Sequence, residues 1–321
     1  MKVLVSAPYL LPYIEQYRPL IERHGVEVVV ADVKERLEED ALLELVPDVD
    51  GVIAGDDRFT RRVLERAPKL KVLSKWGTGI DSFDQDAARE LGILVKNVPN
   101  AFSEPVADSV LGYILSFARR IVPMDRAMKA GVWEKIPGRA LNESTVGVIG
   151  IGNVGKAVVR RLQGFGCRVL GNDVRVLADE ETEGLRLEMV TLEALLEASD
   201  FVSVNCDLNP TSRHLMSSDQ FARMKDSSYL VNCARGPIID QPALIRALES
   251  EQIAGVAMDV FEHEPVEADS PLLRMDNALL APHNSNSSAI AWRRTHVAAI
   301  RNALTGMGVS LNGDGLEEVM V

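Results

Sequence analysis

The sequence predicts an α/β protein of two domains, each built on a parallel sheet flanked by helices. Apolar runs of strand length alternate with helix-patterned stretches along nearly the whole chain, which is the rhythm of βαβ units. The alternation comes in two series, separated by a long segment of helical pattern at 103–131. The length of 321 residues exceeds one average domain and suits two.

The first series opens with "KVLVSA" (2–7), followed by a helix near 13–24, "VEVVVA" (26–31), a helix near 38–45, "GVIAG" (51–55), a helix near 60–67 and "KVLSKWG" (71–77). The N-terminal stretch carries one lysine, two prolines and no small-residue cleavage site, so it reads as a first strand and not as a signal peptide. The connecting segment begins at Ser103 with Pro105 just inside, which marks a helix start, and reads as two successive helices. The second series runs "TVGVIGIG" (145–152), "CRVLGND" (167–173), "FVSVNC" (201–206), "SYLVNCA" (228–234), "IAGVAMDV" (253–260) and "ALLAP" (278–282). Helical patterns at 154–164, 191–198 and 240–250 lie between them. A last helix near 287–306 has the position of one returning to the first domain, and "GDGLEEVMV" reads as a short tail.

Composition excludes several function classes. A net charge of −12 argues against general nucleic-acid binding, which needs a surplus of Lys and Arg. No run of 18 apolar residues occurs, so no membrane span is expected. The three cysteines, Cys167, Cys206 and Cys233, are odd in number and far apart. They support neither a disulfide framework nor a zinc site, no metal is expected, and free thiols fit a cytoplasmic location.

The strongest local signal is Gly150-Ile-Gly152-Asn-Val-Gly155, which follows an apolar strand and opens a helix. Gly150 permits the tight turn, Gly152 lets backbone approach a pyrophosphate, and Gly155 packs helix on strand. Asp173 ends the next strand 23 positions after Gly150, where an acidic residue accepts hydrogen bonds from the adenine ribose. That favours NAD over a 2′-phosphorylated dinucleotide, with Arg175 two residues on as a softening influence. Spacing of this kind arises by chance among 23 glycines, and the strand–turn–helix context is what gives it weight.

A second set lies at strand ends. Arg235 follows "YLVNCA", Asp259 ends "GVAMDV", Glu262 and Glu264 follow in "EHEP", and His283 follows "LLAP". Ligands of open parallel sheets bind outside the carboxyl ends of the strands. An arginine there clamps an anion, a histidine moves a proton, and a carboxylate fixes the imidazole tautomer. Taken singly, each residue is more often an ordinary ion-pair partner or polar surface residue. Glu262 and Glu264 are equal candidates by composition, His263 reads as exposed, and His24, His214 and His296 read as structural or surface.

Five ordered motifs together resemble the D-isomer-specific 2-hydroxyacid dehydrogenases: "KWGTGIDSFD" (75–84), "VGVIGIGNVGKAV" (146–158), "MKDSSYLVNCARGPIID" (224–240), "GVAMDVFEHEP" (255–265) and "APH" (281–283). The resemblance implies two Rossmann-like/flavodoxin-like domains, with the cofactor domain inserted into a discontinuous substrate domain and a cleft between them. In this sequence 1–101 and 286–321 would form the substrate-binding domain and 102–285 the NAD-binding domain. It implies hydride transfer between NAD(H) and C2 of a small 2-hydroxy or 2-oxo carboxylate. Arg235 matches the substrate-binding arginine, His283 the acid/base and Glu264 its supporting glutamate. Trp76 and the Gly77-Thr78-Gly79 loop match the substrate-carboxylate site. Asn153 and Val154 match positions over the pyrophosphate, Val106 matches the residue against the nicotinamide ring, and Asp259 the one contacting its carboxamide. Cys206, Cys233 and Ala234 fall at cofactor-side strand ends. A homodimer built on the cofactor domain is likewise implied.

Some stretches depart from the family pattern. Cys206-Asp-Leu-Asn-Pro-Thr211 replaces the usual "HLPLT", and "NSNSS" makes the segment after His283 more polar. Phosphoglycerate enzymes tend to carry an Arg-Ser pair after the third strand, where this chain has Asp56 and Asp57 before Arg58. Two acids there would repel a phosphate, which weakens the alternative of a 3-phosphoglycerate dehydrogenase. A further alternative is an NAD(H)-sensing interaction protein of the family's corepressor kind, since fold does not fix function.

Overall fold

The computed structural model describes residues 1–311; the predicted tail at 313–321 lies outside them. The chain divides into two compact units, Met1–Phe102 together with the segment from Ser287 onward, and Ser103–Asn286.

The first unit alternates strands and helices in the predicted order: β1 (Lys2–Val5), α1 (Ile14–Glu22), β2 (Glu27–Val30), α2 (Glu39–Leu45), β3 (Gly51–Ala54), α3 (Arg61–Glu65) and β4 (Val72–Lys75). Two short elements outside the predicted series follow, α4 (Gln85–Glu90) and β5 (Leu94–Lys96). The helix starts are chemically marked: the Thr60 and Asp84 side chains accept from the N–H groups of Val63 and Ala87.

The second unit opens with α5 (Ser103–Ala118) and α6 (Ile121–Lys129). Then come β6 (Thr145–Ile149), α7 (Asn153–Gln163), β7 (Arg168–Asn172), α8 (Asp179–Thr182), β8 (Glu188–Met189), α9 (Leu192–Ala198), β9 (Phe201–Val204) and α10 (Ser218–Arg223). It closes with β10 (Tyr229–Asn232), α11 (Gln241–Glu249), β11 (Gly255–Met258) and β12 (Ala278–Leu280). The last helix, α12 (Ala289–Gly306), belongs to the first unit.

Every strand pairing is parallel. The first sheet has the order β2-β1-β3-β4-β5, the flavodoxin-like winding. Both its faces are covered, and successive strand residues alternate between them. Val3, Val5 and Ile53 pack with α1 and α12, whereas Leu4, Val52 and Ala54 pack with α2, α3 and α4. The return of α12 is fixed by backbone proximity: the Ser74 hydroxyl donates to the Ala299 carbonyl at 2.8 Å. A Cβ on Gly51 would stand 2.8 Å from the Met307 sulfur, so strand and helix meet where a side chain is missing.

The second sheet runs β12-β11-β10-β9-β6-β7-β8. Counted from β6, the strands β8-β7-β6-β9-β10-β11 have the doubly wound order, and β12 extends it. The order reverses between β6 and β9, so a crevice is expected beyond the carboxyl ends of these two strands.

Candidate active site

The glycine turn lies at that reversal. Gly150 has φ +87°, open to glycine at low cost, and a Cβ on it would stand 2.6 Å from the backbone nitrogen of Cys206 at the end of β9. A Cβ on Gly155 would approach the Gly150 carbonyl oxygen to 2.0 Å, so α7 rides directly on the turn. Gly152 differs from both: a Cβ there meets nothing within 4 Å. Packing therefore explains two of the three glycines, and the third borders open space at the N-terminus of α7, where no side chain caps the helix. Uncapped N–H groups beside a position bare of side chain suit a pyrophosphate.

Asp173, just past β7, accepts from the Ile151 N–H at 2.8 Å and from the Arg175 N–H at 2.9 Å. It ties the glycine turn to the next strand, and the Arg175 guanidinium stands 3.4 Å from it. Cys206 and Cys233 sit at the ends of β9 and β10. Burial pushes their thiols up to about 11 and about 12, which keeps them neutral and suits packing against a ligand, not nucleophilic attack. Val106 is buried on α5.

Arg235, Glu264 and His283 emerge beyond the carboxyl ends of three adjacent strands, β10, β11 and β12. The buried Asn232 side chain shapes the arginine turn, accepting from the Ala234 N–H at 3.0 Å and donating to the Arg235 carbonyl at 2.9 Å. Gly236 allows this turn to press on the next segment, since a Cβ there would overlap the Phe261 carbonyl at 1.9 Å. Glu264 accepts from the Phe261 N–H at 2.9 Å through one oxygen and contacts His283 Nδ1 at 3.0 Å through the other. Composition could not separate Glu262 from Glu264; geometry does. Glu262 pairs with His214 at 2.6 Å instead, a partnership of two segments 48 residues apart that the sequence does not announce.

His283 has φ +50°, an uncommon backbone state for a residue with a side chain. Asp259 holds it there. The backbone carbonyl of Asp259 accepts from the His283 N–H at 2.7 Å, and its carboxylate accepts from the Asn284 and Ser285 N–H groups at 2.8 and 2.9 Å. Three successive N–H groups thus converge on one residue that is 1% exposed. This bracing of the histidine loop is a function of Asp259 that strand-end position alone did not reveal.

In the first unit, Gly77 takes φ +130° directly after the buried Trp76. The loop is pinned from beside β5: Asn97 Nδ2 donates to the Thr78 carbonyl at 2.6 Å, the Thr78 hydroxyl donates to the Val98 carbonyl at 3.0 Å, and the Val98 N–H donates to the Gly77 carbonyl at 2.8 Å. Among the described residues nothing accepts from the N–H groups of Gly77, Thr78 and Gly79. Asp56 and Asp57 do not act as a pair of bare acids. Asp57 is fully buried and accepts from Ser6 Oγ, the Leu37 N–H and the Gly55 N–H. Asp56 pairs with the buried Lys75 at 2.5 Å.

Residues 111–285 match the sequence profile of the D-isomer specific 2-hydroxyacid dehydrogenase NAD binding domain. The chain belongs to this dehydrogenase family. It is 36% identical over 270 residues to a glyoxylate reductase of Thermofilum pendens, covering 82% of this chain and 80% of the relative. It is 39% identical over 297 residues to a D-3-phosphoglycerate dehydrogenase of Methanocaldococcus jannaschii, covering 91% of this chain but 55% of that one. Among solved structures, a D-lactate dehydrogenase of Aquifex aeolicus complexed with NAD and lactic acid superposes with a TM-score of 0.83 at 25% identity, covering 94% of this chain and 93% of that one. The dehydrogenase is accordingly an NAD-dependent oxidoreductase acting on 2-hydroxy acids, and the glycine turn of its second unit fits the dinucleotide on the geometry above. Among the described residues no helix is long and apolar enough to cross a membrane, and no cluster of His, Cys, Asp and Glu could hold a metal ion.

Proposed function

We propose that Arg235, Glu264 and His283 carry the interconversion of a small, unphosphorylated 2-oxo carboxylate and its D-2-hydroxy acid. The observation that carries this is the 3.0 Å contact between Glu264 and His283 Nδ1, made beyond strand ends adjacent to the Arg235 turn. With Nδ1 held by a carboxylate, proton transfer runs through Nε2, and the tautomer is set for it. In the reducing direction Arg235 binds the substrate carboxylate through its planar fork of donors. The N–H groups of Gly77, Thr78 and Gly79 are assigned to the same carboxylate. NADH, when bound, would supply the hydride that C2 accepts. His283 gives its proton to the carbonyl oxygen as that oxygen gains negative charge, and Glu264 stabilises the imidazolium from which the proton leaves. Oxidation runs the same proton path backward.

On the cofactor side, Gly150, Gly152, Asn153, Val154 and Gly155 are assigned to the pyrophosphate and Asp173 to the adenine ribose. Val106, Cys206, Cys233, Ala234 and Asp259 are assigned to the remaining wall of the dinucleotide site. The absence of phosphate from the proposed substrate rests on the pairing of Lys75 with Asp56, which cancels the buried cation nearest the 77–79 loop. Free cysteines support a cytoplasmic location. Family membership and the 86% exposed Trp133 on the second unit support a homodimer through that unit, which light scattering tests.

Oxidation of NADH by a panel of glyoxylate, hydroxypyruvate, pyruvate, branched 2-oxo acids and phosphohydroxypyruvate tests the substrate class. Turnover of at least one unphosphorylated member, and weaker turnover of the phosphorylated one, is expected. No turnover of any member would favour a nucleotide-sensing protein.

A further inference from the structure

The first unit contains a cavity of about 360 Å³ that the reaction above does not employ. It lies among Tyr13, Gln16 and Tyr17, at and just before α1, and Trp292, Arg293 and His296 on α12. The volume lies at the lower end of the range of small-molecule sites, and Ser287, Ser288 and Ala289 complete the lining. The chain is only 5% aromatic, yet three of the residues facing this one space are Tyr or Trp.

His296 is the informative group. The residue is 2% exposed, and its ring lies near those of Tyr13 and Tyr17 at centroid distances of 5.3 and 6.0 Å. Trp76 Nε1 donates to His296 Nδ1 at 2.8 Å. An indole N–H can only donate, so Nδ1 is the bare nitrogen and Nε2 carries the hydrogen. Among the described residues nothing accepts from that Nε2–H, and the atom is not sealed in the core but open to the cavity. Burial pulls the imidazole down to about 4, so at neutral pH it is an uncharged donor on the cavity wall. Arg293 supplies the charge: it is exposed, and among the described residues no carboxylate lies within ion-pair distance of it. A water-filled gap would account for the volume alone. It does not account for a tautomer fixed from behind by Trp76, with its donor on the side of a cavity flanked by an arginine.

We propose that this cavity binds a small aryl carboxylate, its apolar ring against Tyr13, Tyr17 and Trp292 and its carboxylate shared between His296 Nε2–H and the Arg293 guanidinium. All these residues belong to the first unit, and none of them is given a role in the reaction above.

Calorimetric titration of the full chain, without nucleotide, with phenylacetate as probe tests it. Phenylacetate is expected to bind with a Kd of about 1 mM or tighter, whereas acetate, lacking the ring, and phenylacetamide, lacking the charge, bind at least roughly tenfold more weakly. Arg293→Met, a change at an exposed position, should weaken phenylacetate roughly three- to tenfold and remove its advantage over phenylacetamide. Tyr13→Ala should weaken both aromatic probes, and the His296 imidazole N–H resonance should move on saturation. Absence of saturable binding up to about 10 mM overturns the proposal. So does binding that survives Arg293→Met unchanged, or that is lost in Arg235→Met, which would place the probe at the redox site.

Discussion

Replacing His296 by Gln should remove a specific acid sensitivity from the first unit. The glutamine amide oxygen can accept from Trp76 Nε1, as His296 Nδ1 does at 2.8 Å, but it does not titrate. Burial lowers the native imidazole to about 4 from an ordinary value of 6.5. The unfolded chain therefore takes up a proton that the native state refuses, and the stability given by the neutral ring is complete above about pH 6.5 and lost as pH falls toward 4. Between pH 7.5 and pH 5.0 this linkage amounts to ~2 kcal/mol for a shift of that size. Urea unfolding followed by tryptophan emission reads it, because Trp76 and Trp292 both lie in this unit. The wild-type protein should lose about 2 kcal/mol more than His296→Gln over that pH interval. Equal losses in the two proteins would refute the account of a buried neutral histidine, whatever the absolute stability of the variant.

Glu264→Gln keeps an acceptor for the Phe261 N–H and removes only the charge facing His283, so kcat should fall about 10- to 100-fold with NADH affinity unchanged by fluorescence titration. Gly152→Ala should fold with an unaltered Tm, since a Cβ there meets nothing within 4 Å, yet bind NADH about tenfold more weakly; Gly155→Ala should lower Tm, because its Cβ would meet the Gly150 carbonyl at 2.0 Å. Asp259→Asn turns an NH2 toward one of the N–H groups of residues 284 and 285 and should cost about 2 kcal/mol in urea unfolding, together with most of the turnover.

The parallel sheets were legible because buried parallel strands are continuous apolar runs, as in "VGVIG" and "FVSV". The short β5 and α4, and the two-residue β8 with both residues exposed, carry too little apolar periodicity to be seen. The glycine turn was legible because its spacing is local. What each glycine does was not, since the neighbours of Gly150 and Gly236 come from Cys206 and Phe261, far along the chain. The same limit applies to the carboxylates. Asp56 and Asp57 looked alike as adjacent acids, but one points to Lys75 and the other is spent on Ser6 and two backbone donors. Likewise His296 looked unremarkable until α12 brought it beneath Trp76, 220 residues away.

The central claim is that His283, held by Glu264, delivers and removes the proton at the substrate oxygen. Single-turnover and steady-state kinetics of His283→Ala, with the best 2-oxo acid of the panel, test it most directly. The account predicts that kcat falls by about 10²–10⁴-fold while the NADH Kd stays at its wild-type value. Turnover near the wild-type rate in that variant would contradict it.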